Sequence, residues 1–181
     1  MKRRIVHEKV EKYLITSKTM AIYPFINQWG RVCAEIYEEG AVILVEKKPF
    51  RIIKDSCPYY GGTYDGKKDA TQINLGRMCF PPIMIDTKLD IFFFPTKSPR
   101  KDSCIWLSQP HIDDIVSIDQ KKVRVIFSNG MDLPIESTSA ALKGKLHRAA
   151  HYRSVLLTRT NRSFNNKNKE VHLQNSDLIL T

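Results

Sequence analysis

The first third of the chain alternates short apolar runs with polar breaks, a pattern typical of short β-strands. β-branched and aromatic residues concentrate in these runs, as they do in strands generally. The strands predicted from them cover residues 19–24, 32–37, 41–45 and 50–54. Glu38-Glu39-Gly40 forms a predicted turn, and Pro49 breaks the chain before the last strand. Because short connections favour hairpin pairing, we expect an antiparallel meander here.

The same β-type pattern returns in the second half of the chain. Its predicted strands cover residues 83–85, 90–95, 104–108, 123–127 and 131–135. The last two are separated by Asn129-Gly130, and Asn-Gly is the dipeptide that a type I′ hairpin turn prefers. We therefore predict a hairpin with positive φ at both residues. Asp113-Asp114 is interpreted as a solvated loop.

A mid-chain helix is predicted at about residues 56–75. Ser56 can cap this helix, and Pro58 is tolerated in its first turn. The residues that would share one face are Tyr60, Tyr64, Lys68 and Thr71. Three glycines between positions 61 and 66 weaken an isolated helix and indicate close approach by another backbone.

A second helix is predicted at about residues 138–157. Its repeating face consists of Leu142, Leu146, Ala149 or Ala150, and Arg153. We expect an α+β fold, mainly an antiparallel β-sheet with a mid-chain and a C-terminal helix. A single domain, residues 13–158, is predicted between a short N-terminal tail, residues 1–12, and a flexible basic C-terminal tail, residues 159–181.

The charge balance adds a functional indication. The 181 residues include 29 Lys and Arg against 19 Asp and Glu, a formal net charge of +10. Such an excess attracts polyanions, of which nucleic acid is the first to consider and an anionic membrane surface the second. No apolar stretch approaches the ~20 residues of a membrane span, and the N-terminus lacks the apolar segment of a secretory signal. We therefore expect a cytoplasmic protein without a membrane partner.

Residues that could carry catalysis or bind a metal do not form a recognisable set. The cysteines are too widely spaced for a zinc ribbon and are expected to be free, buried thiols: Cys33, Cys57, Cys79 and Cys104. His147 and His151 have a metal-binding spacing, yet no nearby Cys, Asp or Glu completes a site. Residues 61–68 nearly match a phosphate-binding loop, but Lys68 replaces the hydroxyl residue that binds Mg²⁺. We expect no enzyme activity, cofactor or metal.

Basic residues fall in several separate clusters, and phosphate contacts come from several elements that meet on one surface. The candidate DNA-binding residues are Lys67, Lys68, Arg77, Lys97, Arg100, Lys101, Arg148 and Arg153. For any single cluster the alternative interpretation is a solvated face. No helix-turn-helix, zinc finger or basic zipper motif is present.

Five short blocks occur in a specific order along the chain. The first is SCPYYGGTYDGKKDAT at residues 56–71. The others are PPIMID at 81–86, FFFPT at 92–96, WLS at 106–108 and FSNG at 127–130. Together they resemble the ComK family of bacterial competence transcription factors, over about residues 13–153.

The resemblance implies a regulator that binds AT-rich promoter DNA, largely through the minor groove, as a dimer or pair of dimers. It also implies that the protein recruits or stabilises RNA polymerase at DNA-uptake genes, and that Lys67-Lys68 is the basic element of the first block. Members of the family can carry a C-terminal segment that an adaptor delivers to a Clp protease. Residues 165–181 lack the aromatic-proline motif associated with that segment.

The chain departs from the family pattern at a few positions. Pro58 stands where an Arg is expected, Cys79-Phe80 where His-Lys usually precedes the two prolines, and Asp69-Ala70 where Xaa-Gly is commoner. The main hypothesis remains a sequence-specific, DNA-binding activator of competence genes. The alternative is a diverged ComK-like protein-interaction module that modulates another regulator without binding DNA itself. A nucleotide-dependent enzyme that uses Lys67 is the third hypothesis.

Overall fold

The computed structural model describes residues 6–177, and the side-chain environments of residues 9–160. Its strands are β1 (Val6–Val10), β2 (Thr19–Ile26), β3 (Val32–Glu38), β4 (Ala41–Val45), β5 (Ile83–Asp86), β6 (Ile91–Pro95), β7 (Trp106–Ser108), β8 (Ile112–Ser117), β9 (Lys122–Phe127) and β10 (Asp132–Glu136). Its α-helices are α1 (Pro49–Tyr59), α2 (Tyr64–Leu75) and α3 (Ser139–Asp177).

The strands form two sheets. A seven-stranded sheet has the order β1-β4-β3-β2-β7-β6-β5, and a three-stranded sheet has the order β10-β9-β8. Neighbouring strands are antiparallel, except that β1 runs parallel to β4. The α+β fold, mainly antiparallel and with a mid-chain and a C-terminal helix, is confirmed.

The large sheet lies between two hydrophobic cores, because successive side chains of a strand point to opposite faces. Phe93 packs with residues of α1 and α2, whereas its neighbour Phe94 packs with residues of α3 and the small sheet. Trp106 and Leu107 on β7 divide between the two cores in the same way. Both faces of the large sheet are therefore covered, which gives a three-layer domain.

The strand predicted at residues 50–54 is wrong, because these residues lie in α1. Pro49 stands in the first turn of this helix, where Pro is favoured. The buried positions of α1 are Pro49, Ile52, Ile53, Ser56 and Cys57. Ser56 is not a cap, since its Oγ donates to Ile52 O at 2.8 Å and accepts from Ile15 N at 3.1 Å. A short apolar run does not distinguish a strand from a buried helix by periodicity alone.

The predicted mid-chain helix is interrupted by a tight turn and continues as α2. Gly61 and Gly62 have φ of +70° and +154°, which glycine adopts readily. After this turn Thr63 caps α2, since its Oγ1 accepts from Gly66 N at 3.1 Å. A Cβ at Gly62 would lie 3.6 Å from Cε of Lys67, so a side chain makes the close approach that we expected from a backbone.

The hairpin predicted at Asn129-Gly130 is confirmed, but the predicted turn type is wrong. Gly130 has φ of +78°, whereas Asn129 is not among the described residues with positive φ. Gly130 N donates to Phe127 O at 2.8 Å, and Phe127 N donates to Met131 O at 2.8 Å. These bonds define a three-residue loop with a glycine bulge, the next most common hairpin connection after the two-residue turns.

Regular structure extends further than the sequence predicts in three places. β1 lies within the expected N-terminal tail, and α3 continues to Asp177, through most of the expected C-terminal tail. Asp113-Asp114, the expected loop, lies in β8 with both side chains exposed.

The expectation of buried thiols is wrong for Cys79, which is exposed in the loop between α2 and β5. Within the described chain, no helix combines the length and apolar character needed to cross a bilayer.

Candidate nucleic-acid interface

The connection from β6 to β7 covers residues 96–105, and residues 96–103 within it form a surface loop that carries Lys97, Arg100 and Lys101. The two ends of the connection, Thr96 and Ile105, are hydrogen-bonded to each other. Thr96 N donates to Ile105 O at 2.9 Å, and Ile105 N donates to Thr96 Oγ1 at 3.1 Å. We call residues 96–103 the basic loop.

A β-turn at the tip of the basic loop exposes its cations. Lys101 N donates to Ser98 O at 3.0 Å, which places Pro99 at the second turn position, where its fixed φ fits. Arg100 and Lys101 are exposed, and Lys97 is half-buried. Because hydrogen bonds within the loop already hold its backbone, binding an anion here orders little additional chain.

An ion pair balances the acidic residue of the basic loop. Lys48 Nζ lies 2.8 Å from Oδ1 of Asp102. The two side chains are 58% and 52% exposed, so this pair contributes little to stability. Its consequence is electrostatic, since it neutralises the carboxylate and leaves the three cations of the loop in excess. Lys48 could not be identified from the sequence, because only the fold brings it next to residue 102.

A groove of about 480 Å³ opens beside the basic loop. Its walls include Lys97 and Ser103 of the loop, residues 23–26 of β2, Lys122 of β9 and Pro134 of β10. The basic loop therefore shares one surface with the end of β2 and the edge of the small sheet. Lys122 is exposed and adds a further cation that the sequence analysis did not include.

A second basic surface lies between the end of α2 and the first half of α3. The groove there has a volume of about 380 Å³ and is lined by Asn74, Leu75, Met78, His147, Arg148 and His151. The pKa of Lys145 is lowered, first by burial and then by the positive charge of Arg148. Crowded like charges of this kind attract an anion. Arg77, exposed in the loop that follows α2, directly precedes Met78 of this groove.

Lys67 lies in the interior, although it is a candidate DNA contact. Its side chain donates from Nζ to Ile85 O at 2.9 Å, and the residue is only 9% exposed. One turn further along α2, Thr71 Oγ1 donates to Pro82 O at 2.7 Å. Burial raises the pKa of the nearby Cys57 thiol to about 11, and the charge of Lys67 acts in the opposite direction. Lys67 therefore joins α2 to β5 and is not presented to a phosphate.

The resemblance of residues 61–68 to a phosphate-binding loop does not extend to the fold. Such a loop follows a strand, whereas the glycine turn here follows α1. Lys68, the neighbour of Lys67, is half-buried on α2 and has no ion pair within the described chain.

Arg153 is also engaged within the fold. Its Nε lies 2.6 Å from Oδ1 of Asp90, and its Nη2 lies 2.5 Å from Oδ2 of the same carboxylate. These hydrogen bonds raise the pKa of Arg153 and attach α3 to the turn between β5 and β6. The structure thus groups Lys97, Arg100 and Lys101 on one loop and places Arg148 in a groove next to which Arg77 lies in sequence. The side chains of Lys67 and Arg153 are instead bonded within the protein.

Comparison with known proteins assigns this molecule to a family. A family model described as ComK protein matches residues 10–161. The chain belongs to the ComK family, as its sequence blocks predicted. It is similar to a protein named Competence transcription factor from Bacillus subtilis (strain 168), with 33% identity over 147 residues, which are 80% of this chain and 75% of the relative. No solved structure shows a significant match.

Proposed function

We propose that this protein is a competence transcription factor that activates DNA-uptake genes by binding AT-rich promoter DNA, largely through the minor groove. The name of its Bacillus subtilis relative supports the class of function. The basic loop is the observation that carries the proposal, because hydrogen bonds hold its backbone and it carries three cations, of which Arg100 and Lys101 are exposed. Lys and Arg presented in this way suit the narrow minor groove of A-tracts, whose negative potential is enhanced.

The proposed contacts come from two surfaces. The basic loop supplies the central set, and the groove between α2 and α3 supplies flanking phosphate contacts. The residues that we assign to these surfaces are Arg77, Lys97, Arg100, Lys101 and Arg148, and Lys68 on α2 is kept as a further proposed contact. Lys67 and Arg153 are omitted, because each is already engaged within the protein.

The proposed setting is the bacterial cytoplasm, where the protein acts as a dimer or pair of dimers and recruits or stabilises RNA polymerase. The domain that binds DNA is proposed to comprise residues 13–158, which lie within the family match to residues 10–161. No cofactor is required in this account, because phosphate and base-edge contacts come from the protein's own side chains.

A titration of labelled duplexes tests the proposal. Fluorescence anisotropy is measured with AT-rich and GC-rich duplexes of equal length over a range of salt concentrations. We expect tighter binding to the AT-rich duplex at every salt concentration. The affinity should fall with salt by a log–log slope of about 0.9 for each phosphate neutralised.

Equal affinity for the two duplexes at physiological salt would contradict sequence-specific recognition. Failure to bind either duplex, together with a stable complex with another regulator, would support the interaction module instead. ATP or GTP turnover by the purified protein would favour an enzyme.

A further inference from the structure

The connection between β2 and β3 exposes two large hydrophobic side chains. Ile26, the last residue of β2, is 71% exposed, and Trp29 in the connecting loop is 64% exposed. Both residues lie at the tip of a hairpin, where polar residues are the usual occupants. Burial in the protein's own core therefore does not explain them.

The hairpin tip holds Trp29 in a fixed position. Asn27 Oδ1 accepts hydrogen bonds from Trp29 N at 3.0 Å and from Arg31 N at 2.9 Å. Asn27 N donates to Arg31 O at 2.9 Å, and Gly30, with φ of +74°, donates its N–H to Asn27 O at 3.0 Å. Lys9 Nζ lies 5.2 Å from the centre of the Trp29 ring. A loop bonded in this way presents the indole without being ordered by a ligand first.

The hairpin tip and the basic loop lie at the same end of the molecule. Ile26 and residues 23–25 of β2 line the same groove as Lys97 of the basic loop. Asp102 and Glu136 also line it, and Asp102 is paired with Lys48. Arg31 is exposed beside Trp29 and forms no ion pair within the described chain. The two apolar side chains thus have an unpaired cation, Arg31, within the hairpin and a second cation, Lys97, in the adjoining groove.

We infer that the β2–β3 hairpin tip is a wedge: Trp29 and Ile26 enter the minor groove and partly unstack a base step, while Arg31 contacts the flanking backbone. Proteins that bind the minor groove commonly insert apolar side chains in this way and bend the duplex. Two side chains separated by polar residues do not form the large contiguous patch of a protein interface. The flanking cations favour a polyanion as the occupant. This inference rests on the proposed function and names the element that deforms the DNA.

Tryptophan fluorescence tests the wedge directly. The chain has two tryptophans, and Trp106 is fully buried, so a change in emission on binding reports Trp29. We expect saturating AT-rich duplex to quench the Trp29 emission strongly, because a base stacks on the indole. Anisotropy of the labelled duplex, measured in the same cuvette, reports binding independently.

Substitution supplies the second arm of the test. Trp29→Ala should weaken AT-rich duplex binding by about ten-fold, the order expected for loss of one stacked base. It should also reduce the bend measured by energy transfer between the labelled ends of the duplex. The emission of Trp106 reports that this variant remains folded. Ile73→Ala is the matched control, because Ile73 is 84% exposed on α2 and lies outside the proposed contact set; it should leave both values unchanged.

The outcomes separate the two proposals. If the duplex binds while the Trp29 emission and the bend do not change, the wedge is overturned and the proposed function stands. If neither duplex binds, the proposed function fails and the wedge fails with it. If raising the protein concentration without DNA quenches the Trp29 emission, the tip binds a second copy of the chain and the wedge is overturned.

Discussion

Residues 56–71 and the basic loop each carry lysines that the sequence offers as DNA contacts, but the fold places these side chains in opposite environments. In the first segment, Lys67 is buried and donates to Ile85 O. In the basic loop, Arg100 and Lys101 extend into solvent from a hydrogen-bonded turn. The segment that most clearly identifies the family therefore joins α2 to the sheet. The DNA contact that we propose lies instead in a loop between the family blocks.

A residue of one family block forms the hydrogen bonds that close the basic loop. Thr96, the last residue of the FFFPT block, forms both hydrogen bonds that close the loop with Ile105. Ile105 directly precedes the WLS block at residues 106–108. Residues that resemble the family thus position a loop whose cations lie between the blocks.

The largest effect on stability is expected at Lys67. Replacement Lys67→Met keeps the length of the side chain but leaves the buried carbonyl of Ile85 without its donor. An unsatisfied buried acceptor costs about 1–3 kcal/mol, so the free energy of unfolding should fall by about 2 kcal/mol in urea titrations. The neighbouring Lys68→Ala is the control, and it should change this free energy by less than about 0.5 kcal/mol. Equal stability of the two variants would show that Lys67 is not the structural residue described above.

A smaller effect is expected at Arg153. Arg153→Ala removes a two-bond contact with Asp90, whose side chain is 37% exposed. Solvent screening limits such a pair to about 1 kcal/mol, so thermal unfolding should shift down by a few degrees. Arg148→Ala, on the exposed side of the same helix, should leave the unfolding temperature nearly unchanged. A larger shift for Arg148→Ala than for Arg153→Ala would reverse the assignment of these two residues.

Alternation predicted the strands well where one face is buried and the other is exposed. In β9, residues 123, 125 and 127 are buried and lie between more exposed neighbours, which matches the alternation in the sequence. The first half of the C-terminal helix was equally predictable, because Leu142 and Ala149 recur on its buried face. The segment that forms α1 was not predictable in this way, because its short apolar run fits either a strand or a buried helix.

The interior position of Lys67 was partly predictable. Tyr64, Lys67 and Thr71 follow a three- and four-residue spacing, which places them on one face of a helix, and Tyr64 and Thr71 are both buried. The hydrogen-bonded conformation of the basic loop was not predictable from the sequence. Its closing bonds join residues whose pairing depends on the position of β6 against β7. For the same reason the sequence did not place the β2–β3 hairpin tip beside the basic loop.

The most direct test of this account compares the DNA affinity of two variants. One carries Lys97→Ala, Arg100→Ala and Lys101→Ala together, and the other carries Lys67→Met and is measured where circular dichroism shows it folded. With AT-rich duplex, the triple variant should bind more weakly, and its log–log salt slope should be smaller by up to about 2.7, which corresponds to three lost phosphate contacts. Lys67→Met should retain the slope of the unmodified protein. A normal slope for the triple variant together with a reduced slope for Lys67→Met would contradict the account.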